Sequence, residues 1–344
     1  MPGYSTKFIK SLIRRKIGAW IKTIEDAELR KACEDSVIVT GGCIASLLLG
    51  EHVSDFDVYF DDLDVTKRVA DYYVARWDKI QREKGSTNRP EMVVETLTDI
   101  RGKDRVRIKV QSAGVASETE KPEDYQYFES QPDAAGEDYL AEVFDSEAKR
   151  TEIEQHLGLA PKELTQFSTK EEKQDAAKRV EAKKAENNSY EPKFLSSNAI
   201  SLGGNIQLIL RFYGDPAEVH STFDFAHATN YWVCKTGELV LQSRAMQSLL
   251  TKNLVYQGSF YPVATLFRVR KFVQRGWKIN AGQMLKVIMQ VSELNLKDYN
   301  VLEDQLTGVD VAYFEQLIDR LKAKNAEEVD ASYLAELIDN LFGE

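Results

Sequence analysis

The sequence predicts an α+β fold, a mixed sheet with flanking helices followed by an all-helical domain. Short β-branched and aromatic runs alternate with helix-period segments through the first two thirds of the chain, and beyond Leu239 the pattern is helical to the end. At 344 residues the chain is long enough for two domains. The expected boundaries are 1–35 for opening helices, 36–240 for a sheet-bearing head with a charged insertion at about 112–195, and 241–344 for the helical domain.

The elements follow in order. Phe8, Leu12, Ile13, Ile17, Trp20, Ile21 and Ile24 recur at helical spacing, so one or two helices open the chain. Ser36–Thr40 is a β-branched run ending in Gly41-Gly42, after which Cys43–Leu49 reads as a helix closed by Gly50. Phe56–Phe60 is a second strand, Val65–Glu83 an amphipathic helix, and Met92–Leu97 and Val106–Val110 two further strands around Gly102. Between Ser112 and Lys193 charge and Gln dominate, with a charged helical pattern over Ser168–Asn187 that reads as a solvated arm or a partner surface. Order returns at Ala199–Leu202, followed by strand runs at Ile206–Phe212 and Val219–Phe225, and then by helices broken near Gly258, Gly282 and Gly308.

Composition narrows the function. No apolar run approaches the ~20 residues of a membrane span, and the N-terminus lacks a signal-peptide core, so a cytoplasmic protein is expected. Cys33, Cys43 and Cys234 have neither metal-ligand nor disulfide spacing, and His52, His156, His220 and His227 show no ligand spacing, which argues against zinc. A net charge of −10 disfavours binding nucleic acid over the whole surface. Yet no acid occurs from Gln242 to Ser292, where Arg244, Lys252, Arg268, Arg270, Lys271, Arg275, Lys278 and Lys286 all fall.

The chemistry concentrates in Gly41-Gly42 and Asp55-Phe56-Asp57. Strand alternation puts both carboxylates on one face with Phe56 on the other, a pair able to hold one or two hard cations. The glycines let the backbone approach phosphates, which the following helix N-terminus favours. Either feature alone is common on solvated edges and in tight turns; their ordered combination is much more specific.

The stretch Gly41–Asp57 resembles the signature of the DNA polymerase beta-type nucleotidyltransferase superfamily, and is most similar to the head of class II CCA-adding enzymes and bacterial poly(A) polymerases. Asp224-Phe225-Ala226-His227-Ala228-Thr229 and the arginine-bearing run Tyr261–Trp277 resemble later segments of that family. The resemblance implies a magnesium-dependent enzyme, with one or two Mg²⁺, that moves a nucleoside monophosphate from an NTP to a hydroxyl. Asp55, Asp57 and Asp224 are then the catalytic and metal carboxylates, although Asp224, with Phe223 where the family carries Arg, also reads as a ribose contact or a structural residue. Nucleotide contacts are expected from Gly41, Gly42, Ser54 and Arg268. An RNA 3′ end is the expected acceptor, held by Arg244, Lys252, Arg268, Arg270, Lys271 and Arg275, with Tyr256, Tyr261 and Trp277 available for stacking. Helical spacing puts Arg268, Lys271 and Arg275 on one face. Ala45-Ser46 stands where the CCA-adding pattern has Arg-Asp, and Phe260–Ala264 replaces its base-reading segment, so the base preference does not carry over. Nucleotidylation of a protein or small molecule, with the insertion as a protein-contacting surface, and an inactive binding module are the rival readings.

Overall fold

The computed structural model describes residues 3–83, 91–98, 102–111, 190–296, 298, 301–302 and 305. Most of the expected insertion, its charged helix at 168–187, and the chain after 305 with its break near Gly308 lie outside the described residues. The chain divides into two compact units. Among described residues, those up to Val219 together with Asn230–Leu241 form the first, and His220–Thr229 with those from Gln242 onward form the second.

In the first unit, Ser5 accepts a hydrogen bond from the Phe8 N–H (3.3 Å) and starts α1 (Thr6–Lys22). Asp26 accepts from the Glu28 and Leu29 N–H groups, both at 2.9 Å, and starts α2 (Ala27–Ser36). These opening helices are part of the first unit. Ile9, Ile13, Ile17 and Trp20 are fully buried in its core, and the Trp20 indole donates to Tyr73 Oη at 2.7 Å. There follow β1 (Val37–Thr40), α3 (Gly42–Leu49), β2 (Phe56–Phe60) and α4 (Leu63–Glu83), which buries Thr66, Val69, Ala70 and Tyr73 along one helical stripe. The expected hairpin is present as β3 (Glu91–Thr98) and β4 (Asp104–Gln111), paired antiparallel as a two-stranded sheet of its own.

The main sheet is mixed, with order β5-β6-β7-β2-β1-β8-β9. Its remaining strands are β5 (Pro192–Leu195), β6 (Ala199–Leu202), β7 (Ile206–Ile209), β8 (Tyr231–Val233) and β9 (Glu238–Val240). The β2·β7 pair is parallel and the others are antiparallel. One face carries Val37, Val39, Phe56, Val58, Phe60, Ile200, Leu202, Ile206, Leu208 and Trp232, all within the hydrophobic core. Alternation sends Asp57, Gln207, Ser201 and Tyr231 to the other face.

Three expectations need correction. The last four residues assigned to the insertion, Pro192–Leu195, are a strand of the sheet. The strand expected at 219–225 is absent: Asp215 Oδ1 accepts from the Ala217 and Glu218 N–H groups (2.8 and 2.9 Å), and with Pro216 next it starts a short helix, α5 (Pro216–His220). A strong cap followed by proline outweighs the β-branched content there. Strands β8 and β9 occupy a stretch with no expected strand, because each is only three residues long.

The described part of the second unit holds α6 (Ser243–Thr251), α7 (Pro262–Gln274) and α8 (Ala281–Ser292), as the helical pattern predicts. Gly258, at φ +112°, lies between α6 and α7, while Gly282 sits inside the first turn of α8 rather than at a break.

Candidate functional site

At one end of the main sheet, β1 leaves and β2, β7 and β8 enter, which gathers Thr40, Gly41, Gly42, Asp55, Asp57, Gln207, Asn230 and Tyr231. Gly41 caps α3 with φ +96°, a backbone state open to glycine and strained for other residues. A Cβ on Gly41 would stand 2.8 Å from Asp57 Oδ2. The glycine turn therefore lies against the Asp57 carboxylate, and only the missing side chain permits that approach. At Gly42 a Cβ would meet nothing within 4 Å among the described residues, so the first position of α3 has room on its side-chain side. Gly50 ends α3 in the left-handed region, with its N–H returning to Leu47 and Ser46 oxygens, as its place in the sequence predicts.

The surroundings of the pair are built. Asp57 is half-buried and Asp55, one residue before β2, likewise, whereas Ser54 is exposed. Thr40 Oγ1 donates to the Asn230 carbonyl (2.9 Å) and fixes the end of β1 to the entry of β8. Cys43 Sγ donates to the Thr40 carbonyl at 3.7 Å. Burial first, and the Asp57 charge second, push the Cys43 thiol well above its ordinary range, which leaves it a protonated core residue and no nucleophile. Ala45 and Ser46, at the positions where the CCA-adding pattern has Arg-Asp, are buried.

Asp224 belongs to the second unit, whereas Asp55 and Asp57 belong to the first. Ser259 Oγ donates to Asp224 Oδ1 at 2.7 Å, and Arg268 forms an ion pair with Oδ2. Ser259 Oγ also accepts from the Tyr261 N–H (2.9 Å), and its own N–H donates to Gln290 on α8 (3.1 Å). Asp224, 8% exposed, is thus the hub of a buried polar network that binds α7 and α8 to the 224 loop. Arg268 is held in that network, apart from the exposed cations Arg270, Lys271 and Arg275; Arg244 is exposed on α6, and Lys252 closes that helix at φ +48°.

The aromatics expected to stack bases belong largely to this unit's interior. Tyr256 and Trp277 are 2% and 4% exposed, and Tyr261 is half-buried. His227 packs against Trp277, Phe272 and Phe225 at 4.4, 4.7 and 6.0 Å between ring centroids, and its buried Nδ1 has no hydrogen-bond partner among the described residues. Burial, then the positive Arg275, lowers its pKa to about 4, so it is neutral at pH 7.

Among the described residues no group of three or more His, Cys, Asp or Glu side chains is placed to hold a metal ion. The donors at the sheet end are two carboxylates beside a glycine cradle, a hard-oxygen set that suits Mg²⁺ or Mn²⁺ and not a soft metal. Gln207, a single amide inside the apolar run Ile206–Leu210, stands beside Asp57 in the parallel register, a neighbour the sequence alone does not indicate.

Residues 11–252 match a protein-family model described as "Gad2: Gabija anti-defense 2 family protein". The chain belongs to the Gabija anti-defense 2 family. A curated relative, "Gabija anti-defense 2" of Bacillus phage SPbetaL7, is 22% identical over 116 residues, which cover 33% of this chain and 29% of the relative. The chain therefore spans less than a third of that relative's length. No solved structure is matched. The Gabija anti-defense 2 match includes Gly41, Gly42, Asp55, Asp57, Gln207 and Asp224, and it ends before α7 with Arg268.

Proposed function

We propose that this chain counters the Gabija defence as a divalent-metal-dependent nucleotidyltransferase of the DNA polymerase beta type, moving a nucleoside monophosphate from an NTP to a hydroxyl. The observation that carries this reading is the Gly41 turn lying against the Asp57 carboxylate at the mouth of a mixed sheet. The α-phosphorus gains a bond to the acceptor oxygen and loses its bond to the β-phosphate bridge; pyrophosphate leaves, and the hydroxyl proton departs to solvent. Gly42 and the first amides of α3 receive the phosphates, and Asp55 and Asp57 stand across from them. Bound by the two aspartates, Mg²⁺ would neutralise phosphate charge and lower the pKa of the attacking hydroxyl. The exposed cations Arg270, Lys271, Arg275, Lys278 and Lys286, with no acid between Gln242 and Ser292, favour a polyanionic acceptor such as RNA.

The test has two arms. Purified protein is incubated with each α-labelled NTP, Mg²⁺ and total RNA or protein extract, and the labelled product is identified. Cells carrying Gabija are challenged with phage while expressing the wild type, Asp55→Asn or Asp57→Asn. Label should enter RNA, and both variants should lose labelling and restore the defence. Label in protein would move the acceptor to that class. Full anti-defence activity in both variants would remove the enzyme reading.

A further inference from the structure

We infer that Gln207 is the third oxygen donor of the Asp55/Asp57 centre, making it a site with two charged ligands and one neutral one. This rests on the metal-site reading above and adds the donor set. Asp57 pairs with Gln207 across the parallel β2·β7 contact, so both side chains leave the same sheet face from neighbouring strands about 4.8 Å apart. The next pair outward, Ser201 with Gln207, continues that polar row across the sheet. On β7 the residues either side of Gln207 are committed to the core, Ile206 at 1% and Leu208 at 0% exposure, while Gln207 is half-buried on the carboxylate face. Among the described residues its side-chain amide makes no hydrogen bond, so no structural partner accounts for an amide in an otherwise apolar strand.

Charge gives the choice of glutamine a consequence. A carboxylate at this position would bring three negative groups around one cation, whereas Gln207 offers a carbonyl oxygen at no charge. Two carboxylates balance one divalent ion, and the amide fills a further place in its oxygen shell. The free protein then holds one ion at this centre, and a second is carried in by the triphosphate, which supplies the missing negative charge.

Mn²⁺ binding to the full chain without nucleotide tests this by paramagnetic resonance or calorimetry, with the Asp55→Asn/Asp57→Asn double variant defining ions bound elsewhere. One Mn²⁺ per chain should be lost in that double variant. Gln207→Met, which keeps the length and removes the oxygen, should weaken binding about tenfold, and Gln207→Glu should tighten it by a similar factor. Circular dichroism and urea unfolding check that both variants fold. If either substitution leaves Mn²⁺ affinity within about twofold of wild type in a folded protein while the double variant loses it, Gln207 is no ligand and the two-carboxylate site stands. If the wild type binds no more Mn²⁺ than the double variant, both the Gln207 assignment and the metal-site reading fall.

Discussion

Replacing Gly41 with alanine tests the geometry on which the site depends. The substitution has two separable costs. An L-residue at φ +96° is strained by roughly 1–3 kcal/mol. The new methyl would also stand 2.8 Å from Asp57 Oδ2, inside any ordinary contact distance, so the carboxylate must rotate or β2 must give way. Because Asp57 is half-buried and β2 is paired on both sides, rotation of the side chain is the easier response. A carboxylate displaced by about 1 Å is enough to cost on the order of a hundredfold in a reaction that depends on positioning. Gly41→Ala should therefore lower unfolding stability by roughly 1–3 kcal/mol in urea while cutting Mn²⁺ affinity and label transfer far more than that loss explains.

Gly42→Ala supplies the matched control, since a methyl there meets nothing within 4 Å and the residue already lies in a helix. It should fold at least as stably as wild type and retain Mn²⁺ binding. The measurements are urea unfolding, Mn²⁺ titration and NTP label transfer on all three proteins. Equal stability and equal Mn²⁺ affinity in Gly41→Ala and Gly42→Ala would refute the claim that the turn and the carboxylate are built against each other.

Three further outcomes are expected. Asp224→Asn removes the charge that pairs with Arg268, and should destabilise the protein by about 2 kcal/mol or more while leaving Mn²⁺ affinity unchanged; a tenfold loss of Mn²⁺ affinity in a folded variant would identify Asp224 as a metal ligand. His227 is held near pKa 4 against an ordinary 6.5, so the unfolded chain binds the extra proton between those values; stability is complete above pH 6.5 and falls as the pH drops toward 4, by about 3 kcal/mol at most. His227→Phe, which suits a pocket of Phe225, Phe272 and Trp277, should flatten that slope in urea titrations at pH 7 and 4.5; an unchanged slope would assign it to other groups. Changing the exposed Arg270, Lys271 and Arg275 to Gln together should weaken RNA binding and flatten its log–log salt slope by about two units, at roughly 0.7 per phosphate contact. No measurable RNA affinity in the unmodified protein at low salt would end the polynucleotide reading.

The local signals were legible where a single short-range cause governs. The strand, turn, helix and strand from Val37 to Phe60 follow from β-branched runs, glycines and a helical period, and so do α4, α6, α7 and α8. What failed depends on tertiary pairing. Residues 219–225 carry strand-like composition, but the Asp215 cap and Pro216 turn their start into α5, and Asp224 meets Ser259 and Arg268 instead of a strand neighbour. Spacing placed Arg268 with Lys271 and Arg275 on one helix face; a partner 44 residues away in sequence decides that Arg268 pairs inward with Asp224, and periodicity carries no information about such a partner. The same holds for Tyr256 and Trp277, whose aromatic character suits a core as well as a stacking platform.

Gln207 marks the limit between the two kinds of information. Its anomaly is visible in the sequence, one amide in the run Ile206-Gln207-Leu208-Ile209-Leu210, and alternation alone says that it leaves the face on which Ile206 and Leu208 are buried. What alternation cannot supply is the neighbour. More than a hundred residues separate β2 from β7, and only the parallel register, Phe56 with Ile206 and Asp57 with Gln207, turns a polar residue on an open face into one beside the carboxylate. A slip of one residue would put Gln207 opposite Phe56 or Val58 and send its amide into the core, at a cost of roughly 1–3 kcal/mol for an unpaired buried polar group. The register that buries Ile206 and Leu208 is therefore the same one that brings the amide to Asp57, and fold and site are specified by one set of contacts.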